Sequence, residues 1–379
     1  MTELNNPMRI LSIESSCDET GASVVENKNG KIEVLSNILA TSSEMHAKTG
    51  GIIPEDAARE QIKTIIPVIV EALIKSENID SADFQENFVK ARKILKENID
   101  GIAVTYGPGL IGSLLIGVET VKAIALALEK PIYPVNHLLA HLYANFISSN
   151  SKSYKLQAIS FPLIGLIVSG GHTDLLYFKS HTDYEWLGGT RDDAAGEALD
   201  KIGRMLSLSY PAGPEIEKRA NDFKLKTEPA SPSLGGNLKP QVKFQSPMLG
   251  SKDFDFSFSG LKSEVMRFIK EKELDEDLKN EICYAVQKAV IDVLIKKTLN
   301  AAEKYKCKTI LLGGGVSANK TLLEEFQLKA KRLSLNPKIH APMREFATDN
   351  AAMIGTYALI NGQEVSWEVL RSNPELYFA

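Results

Sequence analysis

One short pattern occurs twice in the 379-residue chain and limits the folds it can adopt. An apolar segment at 8–14 is followed by the polar turn SSCDETG and a second apolar segment at 22–26. At 163–178, LIGLIVSGGHTDLLYF repeats the order of apolar segment, glycine-containing polar turn and apolar segment. Apolar, β-branched segments bounded by turn residues predict strands. The repetition predicts a duplicated α/β architecture, although any large α/β protein can show some strand–turn–strand similarity.

The chain length and a polar linker predict two domains. The serine-rich stretch SSNSKSYKLQ at 148–157 marks the boundary, which gives an N-terminal domain at 1–150 and a C-terminal domain at 151–345. A closing helix at 348–362 is expected to pack back toward the first domain.

Two further segments are predicted to be surface insertions. Residues 76–98 are charged and show no periodicity, and residues 223–252 are rich in Pro, Ser and Lys and predict a long loop. Pro54 opens a long helical pattern, because proline is favoured in the first helical turn. Pro67 lies inside the same pattern and predicts a kink.

Composition and the N-terminal sequence predict a cytoplasmic protein without a membrane segment. The formal net charge is −4, so contact with RNA would require a local basic patch or a partner. Two clusters could supply such a patch, although solvated helix faces explain them equally well: Lys201, Arg204, Lys218 and Arg219, and Lys329, Lys331 and Arg332. Cys17, Cys283 and Cys307 match no zinc-ribbon spacing and indicate a reducing compartment. Cys17 is more readily a buried thiol than a nucleophile. The first residues lack a signal-peptide pattern, and apolar runs are interrupted before the length that a membrane span requires.

His137 and His141 form the first candidate functional pair. A spacing of four residues places both imidazoles on one helix face, as two ligands of one metal require. A zincin protease needs a glutamate directly after the first histidine, and this position is Leu138. The alternative is a pair of ordinary helix histidines.

Asp349 is a candidate for the third metal ligand. Two histidines and one carboxylate leave open coordination positions, which suits Fe(II), with Zn as the main competitor. Asp349 is also expected in the first turn of the closing helix, where the helix dipole favours a carboxylate without any metal.

Glycine-rich turns occur at 107–113, 169–174, 210–214 and 312–320. Glycine allows backbone N–H groups to approach an anion, and a following helix N-terminus adds partial positive charge. None matches a Walker A loop, and none completes a dinucleotide-binding fingerprint. Together they favour a phosphate-bearing ligand, while each turn alone is explained by ordinary turn geometry.

Acidic side chains accompany these turns. Asp18 and Glu19 lie in the first hairpin turn, where they could hold a metal, accept a proton or orient a ribose hydroxyl. Asp192 and Asp193 occupy positions that turns and first helical turns favour for carboxylates. Asp200 lies deeper in a predicted helix, where that explanation is weaker.

Ten ordered segments resemble one known family. They are IESSCDET, GGIIPEDAAREQ, YGPGLIGSLLIG, PVNHLLAHLYA, LIVSGGHTDL, DDAAGEALDK, YPAGPEIEK, FSFSGLK, GGGVSANK and ATDNAAMIG. The sequence is similar, over roughly 8–378, to the universal threonylcarbamoyladenosine synthase family in its bacterial and organellar branch. That family was once described as sialoglycoprotein endopeptidases, a reading that Leu138 opposes.

The resemblance implies a fold and a reaction. The fold is the two-lobed actin-like ATPase fold of actin, sugar kinases and heat-shock ATPases, with duplicated ribonuclease H-like halves and a cleft between them. The reaction transfers the L-threonylcarbamoyl group from threonylcarbamoyl-AMP to N6 of adenosine 37, beside the anticodon, in tRNAs that read codons beginning with A. AMP is released.

The resemblance also implies site residues and partners. The metal ligands are His137, His141 and Asp349, with one divalent metal per subunit. Asp18 and Glu19 are placed near the reacting centre. The adenylate contacts are Ile167, Val168, Ser169, Gly170, Gly171, Asp200, Gly213 and Asn319. Bacterial relatives require a paralogous partner of the same fold and a small ATPase, while mitochondrial relatives do not.

One departure and two rival functions accompany the resemblance. FQSPM, beginning at Phe244, stands where bacterial members often have Phe-Pro-Arg-Pro-Met, so a basic contact from that loop is in doubt. A kinase or ATPase of the same fold would use the glycine turns but leave the histidine pair without a role. A non-catalytic nucleotide-binding scaffold would leave the whole ligand set without one.

Overall fold

A computed structural model of the chain describes residues 7–41, 53–148, 159–227 and 240–378. Its contacts divide the chain into two compact units, Met1–Ile159 with Pro342–Ala379, and Ser160–Ala341. The sequence-predicted boundary at 150 and residues 228–239 of the predicted loop at 223–252 lie outside the described residues.

The first unit is built on a five-stranded sheet with the order β3-β2-β1-β4-β5. Strand β2 is antiparallel to β1 and β3, and β4 is parallel to both β1 and β5. The strands are β1 Met8–Glu14, β2 Glu19–Lys28, β3 Lys31–Thr41, β4 Gly101–Gly107 and β5 Ile132–Asn136. The helices are α1 Pro54–Ser76, α2 Phe84–Glu97, α3 Ile111–Leu128 and α4 His137–Tyr143, and a 3₁₀ turn at Ala144–Phe146 follows α4.

The second unit repeats this plan with the order β10-β9-β6-β7-β8. Its strands are β6 Leu163–Val168, β7 Thr173–Phe178, β8 Tyr184–Gly189, β9 Thr309–Gly313 and β10 Lys338–His340. Its helices are α5 Ala195–Met205, α6 Ala212–Thr227, α7 Ser259–Ile269, α8 Glu276–Lys304 and α9 Lys320–Ala330. The last helix, α10 Ala351–Asn361, belongs to the first unit.

The two sheets share one topology, which confirms the predicted α/β class and its duplication. In each sheet the first strand is central, with an antiparallel hairpin partner and a third strand on one side and two parallel strands on the other. This is the ribonuclease H-like order. The sequence analysis did not anticipate β8, whose residues Tyr184–Leu187 are only partly buried or exposed.

Alternation along the strands explains how helices cover both faces of the first sheet. Leu11 and Ile13 of β1 pack in one apolar cluster with buried residues of α1 and α3. Ile10 points to the opposite face and packs with residues of α4 and α10. Successive strand side chains point to opposite faces, so one strand contributes to both layers. The sheet therefore lies between two helical layers. Its strand ends lie outside these layers, where polar side chains can be placed.

Two local expectations are wrong, and the kink predicted at Pro67 stays a prediction. Residues 84–97 form α2 instead of an aperiodic excursion, with Asp83 accepting hydrogen bonds from the first-turn amides and Ala91, Ile94 and Leu95 buried. Helix α1 continues through Pro67 as a single helix. Asp349 lies just before α10 and not in its first turn, because Asn350 is the N-cap.

Helix α3 is long and apolar enough to cross a membrane by length and composition, contrary to the expectation that no such segment exists. It has a mean hydropathy of 1.8 over 18 residues, and a third of it is buried. A single helix of this kind is weak evidence, because core helices of soluble proteins meet the same test. In this fold α3 packs against β4 and α1.

Candidate metal centre and glycine-rich turns

The histidine pair is positioned by the short helix α4, which begins directly at the end of β5. The Asn136 side chain accepts hydrogen bonds from the backbone N–H groups of Leu138 (2.9 Å) and Leu139 (3.3 Å), and so caps the helix. His137 is therefore the first helical residue, and His141 follows one turn later on the same face. The ring centroids are 4.7 Å apart with an edge-to-face arrangement, and both side chains are buried.

Asp349 brings a carboxylate to this pair from the other end of the unit's sequence. Its Oδ1 lies 3.5 Å from His137 Nε2 and 3.2 Å from His141 Nε2. One ligand atom from each residue lies within 4.8 Å of the others. Ligand atoms about 2.1 Å from one ion, at tetrahedral or octahedral angles, lie about 3.0–3.4 Å apart. The two separations from Asp349 Oδ1 to the imidazole nitrogens are therefore close to those around a single divalent cation.

A buried nitrogen without a hydrogen bond supports the same conclusion. His141 is 1% exposed, and neither of its ring nitrogens makes a hydrogen bond within the described ranges. Nε2 approaches Asp349 Oδ1 without the alignment of a hydrogen bond. An unsatisfied buried polar atom is costly. A cation held by all three residues would satisfy it.

Glu14 is a contact of the histidine pair that the sequence analysis missed. It lies at the end of β1, its side chain is 1% exposed, and its Oε2 is 3.0 Å from His137 Nδ1. The same oxygen accepts a hydrogen bond from Thr105 Oγ1 (2.6 Å), and Oε1 accepts one from the Ser16 amide (2.6 Å). A glutamate at a strand end within IESS was the available signal, but this feature is common.

The pKa values of His137, Asp349 and Glu14 indicate that this centre favours positive charge. Burial opposes charge on His137, but the carboxylates of Glu14 and Asp349 raise its pKa well above the usual value. Burial likewise opposes charge on Asp349, yet the two histidines hold its pKa well below the ordinary range. Glu14 has a lowered pKa, because His137 outweighs the effect of burial. The buried carboxylate of Glu14 and the partly exposed carboxylate of Asp349 thus both favour positive charge at this position.

The acidic turn between β1 and β2 adjoins this centre. Burial, followed by the charges of Asp349 and Asp18, raises the pKa of Glu19 to about 9. Burial and the same two aspartates raise the pKa of Cys17, which disfavours a role as nucleophile, while the thiol itself is only partly buried. Gln61 of α1, within PEDAAREQ, donates to the backbone carbonyls of Cys17 (3.0 Å) and Glu19 (2.9 Å) and fixes the turn.

In the second unit, the glycine turns at 169–174 and 312–320 meet at the carboxyl ends of β6 and β9. These parallel strands end at Val168 and Gly313, and ligands of open α/β sheets bind at such ends. Gly314 has φ +89° and lies against the Val168 carbonyl, so no side chain fits there. Gly196 of α5 donates from its amide to the Ser169 carbonyl (3.1 Å).

Three glycines of this unit are not required by the chain's own packing. A Cβ added at Gly170, Gly171 or Gly213 would meet nothing within 4 Å among the described residues, and none has a φ in the left-handed range. Glycine at such positions is explained when a ligand approaches the backbone closely. Ile167 and Val168 are buried in β6 and lead into the first of these turns.

Asp200 and Asn319 already have partners in the chain. Asp200 Oδ1 accepts from the Ala212 amide (2.7 Å), and burial raises its pKa. Asn319 caps α9 by accepting from the Leu322 amide (2.9 Å), and its Nδ2 donates to Gln287 (2.9 Å). Either residue would have to bind a ligand while keeping these contacts.

Two observations change what the sequence suggested about phosphate and RNA binding in this unit. Glu217 Oε1 accepts from the Lys320 amide (2.7 Å), so the N-terminus of α9 already faces a carboxylate and offers little to a phosphate. The basic residues suggested by sequence as an RNA-binding patch include Lys201, Arg219 and Lys329. All three form ion pairs with carboxylates of their own unit.

The acidic pair before α5 has a structural role. Asp192 accepts hydrogen bonds from the amides of Phe258 (2.8 Å) and Ser259 (3.2 Å), which start α7. Asp193 pairs with Lys201 (2.6 Å) and Lys262 (3.4 Å). DDAAGEALDK and FSFSGLK are therefore linked by these carboxylates.

Comparisons with known proteins show the family to which the chain is related. Residues 33–356 match the family described as tRNA N6-adenosine threonylcarbamoyltransferase. A Moorella thermoacetica protein of that name is 40% identical over 358 residues, covering 94% of this chain and 92% of the relative. A Staphylococcus carnosus protein of the same name is 41% identical over 348 residues, covering 91% and 89%.

A solved structure supports the fold alone. The crystal structure of T. kodakarensis HypF superimposes with a TM-score of 0.57 at 13% sequence identity, covering 94% of this chain and 49% of that one. Function is carried by the sequence matches together with the site. We conclude that the chain belongs to the tRNA N6-adenosine threonylcarbamoyltransferase family and is a transferase.

Proposed function

We propose that the chain transfers the L-threonylcarbamoyl group from threonylcarbamoyl-AMP to N6 of adenosine 37 in tRNAs that read codons beginning with A. The N6 amine attacks the carbamoyl carbonyl carbon and forms a C–N bond. The bond from that carbon to the phosphate oxygen breaks, AMP leaves, and the nitrogen loses one proton. The anticodon loop can present an unstacked base for this attack.

The observation that carries the proposal is the convergence of His137, His141 and Asp349 on one point. We propose that they hold one divalent metal, with Fe(II) favoured over Zn by the two-histidine, one-carboxylate set. A metal bound there supplies a Lewis acid and a template for the threonylcarbamoyl end. Asp18 and Glu19 lie beside the centre and are proposed to contact the reacting group.

We propose that the second unit binds the adenylate. The open glycines at 170, 171 and 213 support close approach of a ligand to the backbone. The turn from Ile167 to Gly171 is assigned to the phosphate, because its exposed glycines leave backbone N–H groups accessible. Asp200 and Asn319 are assigned to the nucleoside instead of the phosphate. The carboxylate of Glu217 occupies the N-terminus of α9, which follows Asn319, and it would repel a phosphate there.

The rival kinase function leaves the histidine centre unexplained, and one assay separates the two. The purified chain is incubated with threonylcarbamoyl-AMP and an unmodified tRNA transcript, with and without a paralogous same-fold partner and a small ATPase from a bacterial relative. We expect threonylcarbamoyladenosine and AMP in equal amounts, and none from a transcript with guanosine at position 37. Phosphoryl transfer from ATP to small acceptors, without threonylcarbamoyladenosine, would refute the proposal.

We propose a cytoplasmic location. Cys17, Cys283 and Cys307 are free thiols. A reducing compartment keeps such thiols unpaired, and tRNA modification requires access to tRNA.

A further inference from the structure

Glu14 is not one of the three proposed metal ligands, but its side chain contacts one of them, His137. Its Oε2 lies 3.0 Å from Nδ1 of His137, while Nε2 of the same ring faces Asp349. Neutral imidazole carries one proton, and a nitrogen that binds a metal cannot keep it. A carboxylate that accepts a hydrogen bond from Nδ1 therefore leaves Nε2 free for a metal.

The carboxylate of Glu14 is itself held by strand β4 and by the turn that follows β1. Thr105 of β4 donates to Oε2 (2.6 Å), and the amide of Ser16 donates to Oε1 (2.6 Å). Burial and these contacts leave the side chain no freedom to turn away from His137.

We propose that Glu14 is a positioning residue that holds His137 as the Nδ1–H tautomer and aims its Nε2 at the metal position. This inference rests on the proposed metal centre. Ser16 Oγ lies 3.2 Å from the same Nδ1 and is the competing acceptor. Glu14 is assigned the role because it is closer and charged, and a charged acceptor makes the stronger hydrogen bond.

The variant Glu14→Gln tests this because an amide has only one acceptor oxygen. The Ser16 N–H and the Thr105 O–H donate to the wild-type carboxylate, and in the proposed tautomer the His137 Nδ1–H donates to it as well. In the variant the amide –NH₂ must face either the Ser16 N–H or the Nδ1 of His137. In the first arrangement the amide N–H and the Ser16 N–H face each other, and both are donors. In the second the amide donates to Nδ1, which places the His137 proton on Nε2.

Glu26→Gln is the matched control. Glu26 is a buried carboxylate of the neighbouring strand β2, bonded to Arg9 Nε (2.6 Å), and it does not contact His137 in the structure described. Zn(II) affinity is measured by competition with a chromophoric chelator for both variants and for His137→Ala. We expect Glu14→Gln to bind Zn(II) about 10–100-fold more weakly than the wild type, and Glu26→Gln to bind it normally.

Equal affinity in Glu14→Gln and the wild type, with loss in His137→Ala, would overturn the role of Glu14 while the metal centre stands. Equal affinity in His137→Ala and the wild type would overturn the metal centre itself. If Glu14→Gln does not fold, ¹⁵N-histidine NMR of the Zn-loaded wild type decides. A slowly exchanging Nδ1–H on His137 supports the proposal, and an Nε2–H on that ring contradicts it.

Discussion

The raised pKa of Glu19 makes a quantitative prediction about stability. Burial and the charges of Asp349 and Asp18 raise this pKa to about 9 from an ordinary value of 4.5. The folded chain therefore keeps a proton that the unfolded chain loses, and stability falls as pH rises from about 4.5 toward 9. Glutamine imitates the protonated side chain, so Glu19→Gln removes this loss.

The size of the effect follows from the pH interval. Each pH unit between the two pKa values is worth about 1.4 kcal/mol, which sets a ceiling of about 4 kcal/mol between pH 5 and pH 8. Partial solvent access to the side chain reduces this to about 2 kcal/mol. For a unit of this size, that corresponds to a melting temperature about 4–8 °C higher in the variant at pH 8.

The assay is differential scanning calorimetry of chelator-treated protein at pH 5 and pH 8. We expect Glu19→Gln to exceed the wild type at pH 8 and to approach it at pH 5. Added Zn(II) should shrink the pH 8 difference, because a cation on Asp349 offsets its repulsion of Glu19. Glu26→Gln should be destabilised at both pH values, since it breaks the pair with Arg9. A wild type as stable as Glu19→Gln at pH 8 would refute the reasoning.

Three further predictions follow from the proposed sites. The double variant His137→Ala, His141→Ala should lose its metal in elemental analysis, and full metal content would contradict the ligand assignment. Asp200→Ala should weaken an adenylate analogue roughly 5- to 150-fold in calorimetry, since a lost hydrogen-bonding partner costs about 1–3 kcal/mol; unchanged affinity would contradict the nucleoside assignment. Anticodon stem-loop RNA should bind weakly and with strong salt dependence in filter-binding titrations. Reversing the charge of Lys218 should lower the slope of log affinity against log salt by roughly 0.7–0.9, and a tight, salt-insensitive complex would refute the electrostatic account.

Local geometry explains which parts of the site could be predicted from sequence. His137 and His141 share a face because any helix places residues four apart on one side. Asp349 lies about 200 positions away, and only the family resemblance paired it with them. Glu14 was missed because its partner His137 lies far away in sequence, at the start of α4. Spacing along the chain carries no information about such a contact.

The same limit applies to the fold and the surface charges. The central hairpins were predictable because apolar strands flank short polar turns. Helix α2 was missed because Ala91, Ile94 and Leu95 are its only buried residues, so its apolar face is short. Lys329 appeared free in sequence, but it pairs with Asp292 from a different helix (2.6 Å). The ion pair of Lys329 joins two helices, and such a contact cannot be predicted from spacing along the sequence.

The central claim is that threonylcarbamoyl transfer depends on a metal held by His137, His141 and Asp349. The most direct test measures threonylcarbamoyladenosine formation on a tRNA transcript before metal removal, after chelation and after Fe(II) is restored, using the wild type and Asp349→Ala with any required partners present. The account predicts that chelation abolishes product, that Fe(II) restores it in the wild type, and that Asp349→Ala remains inactive throughout. Undiminished product from the chelated wild type, or from Asp349→Ala, would contradict it.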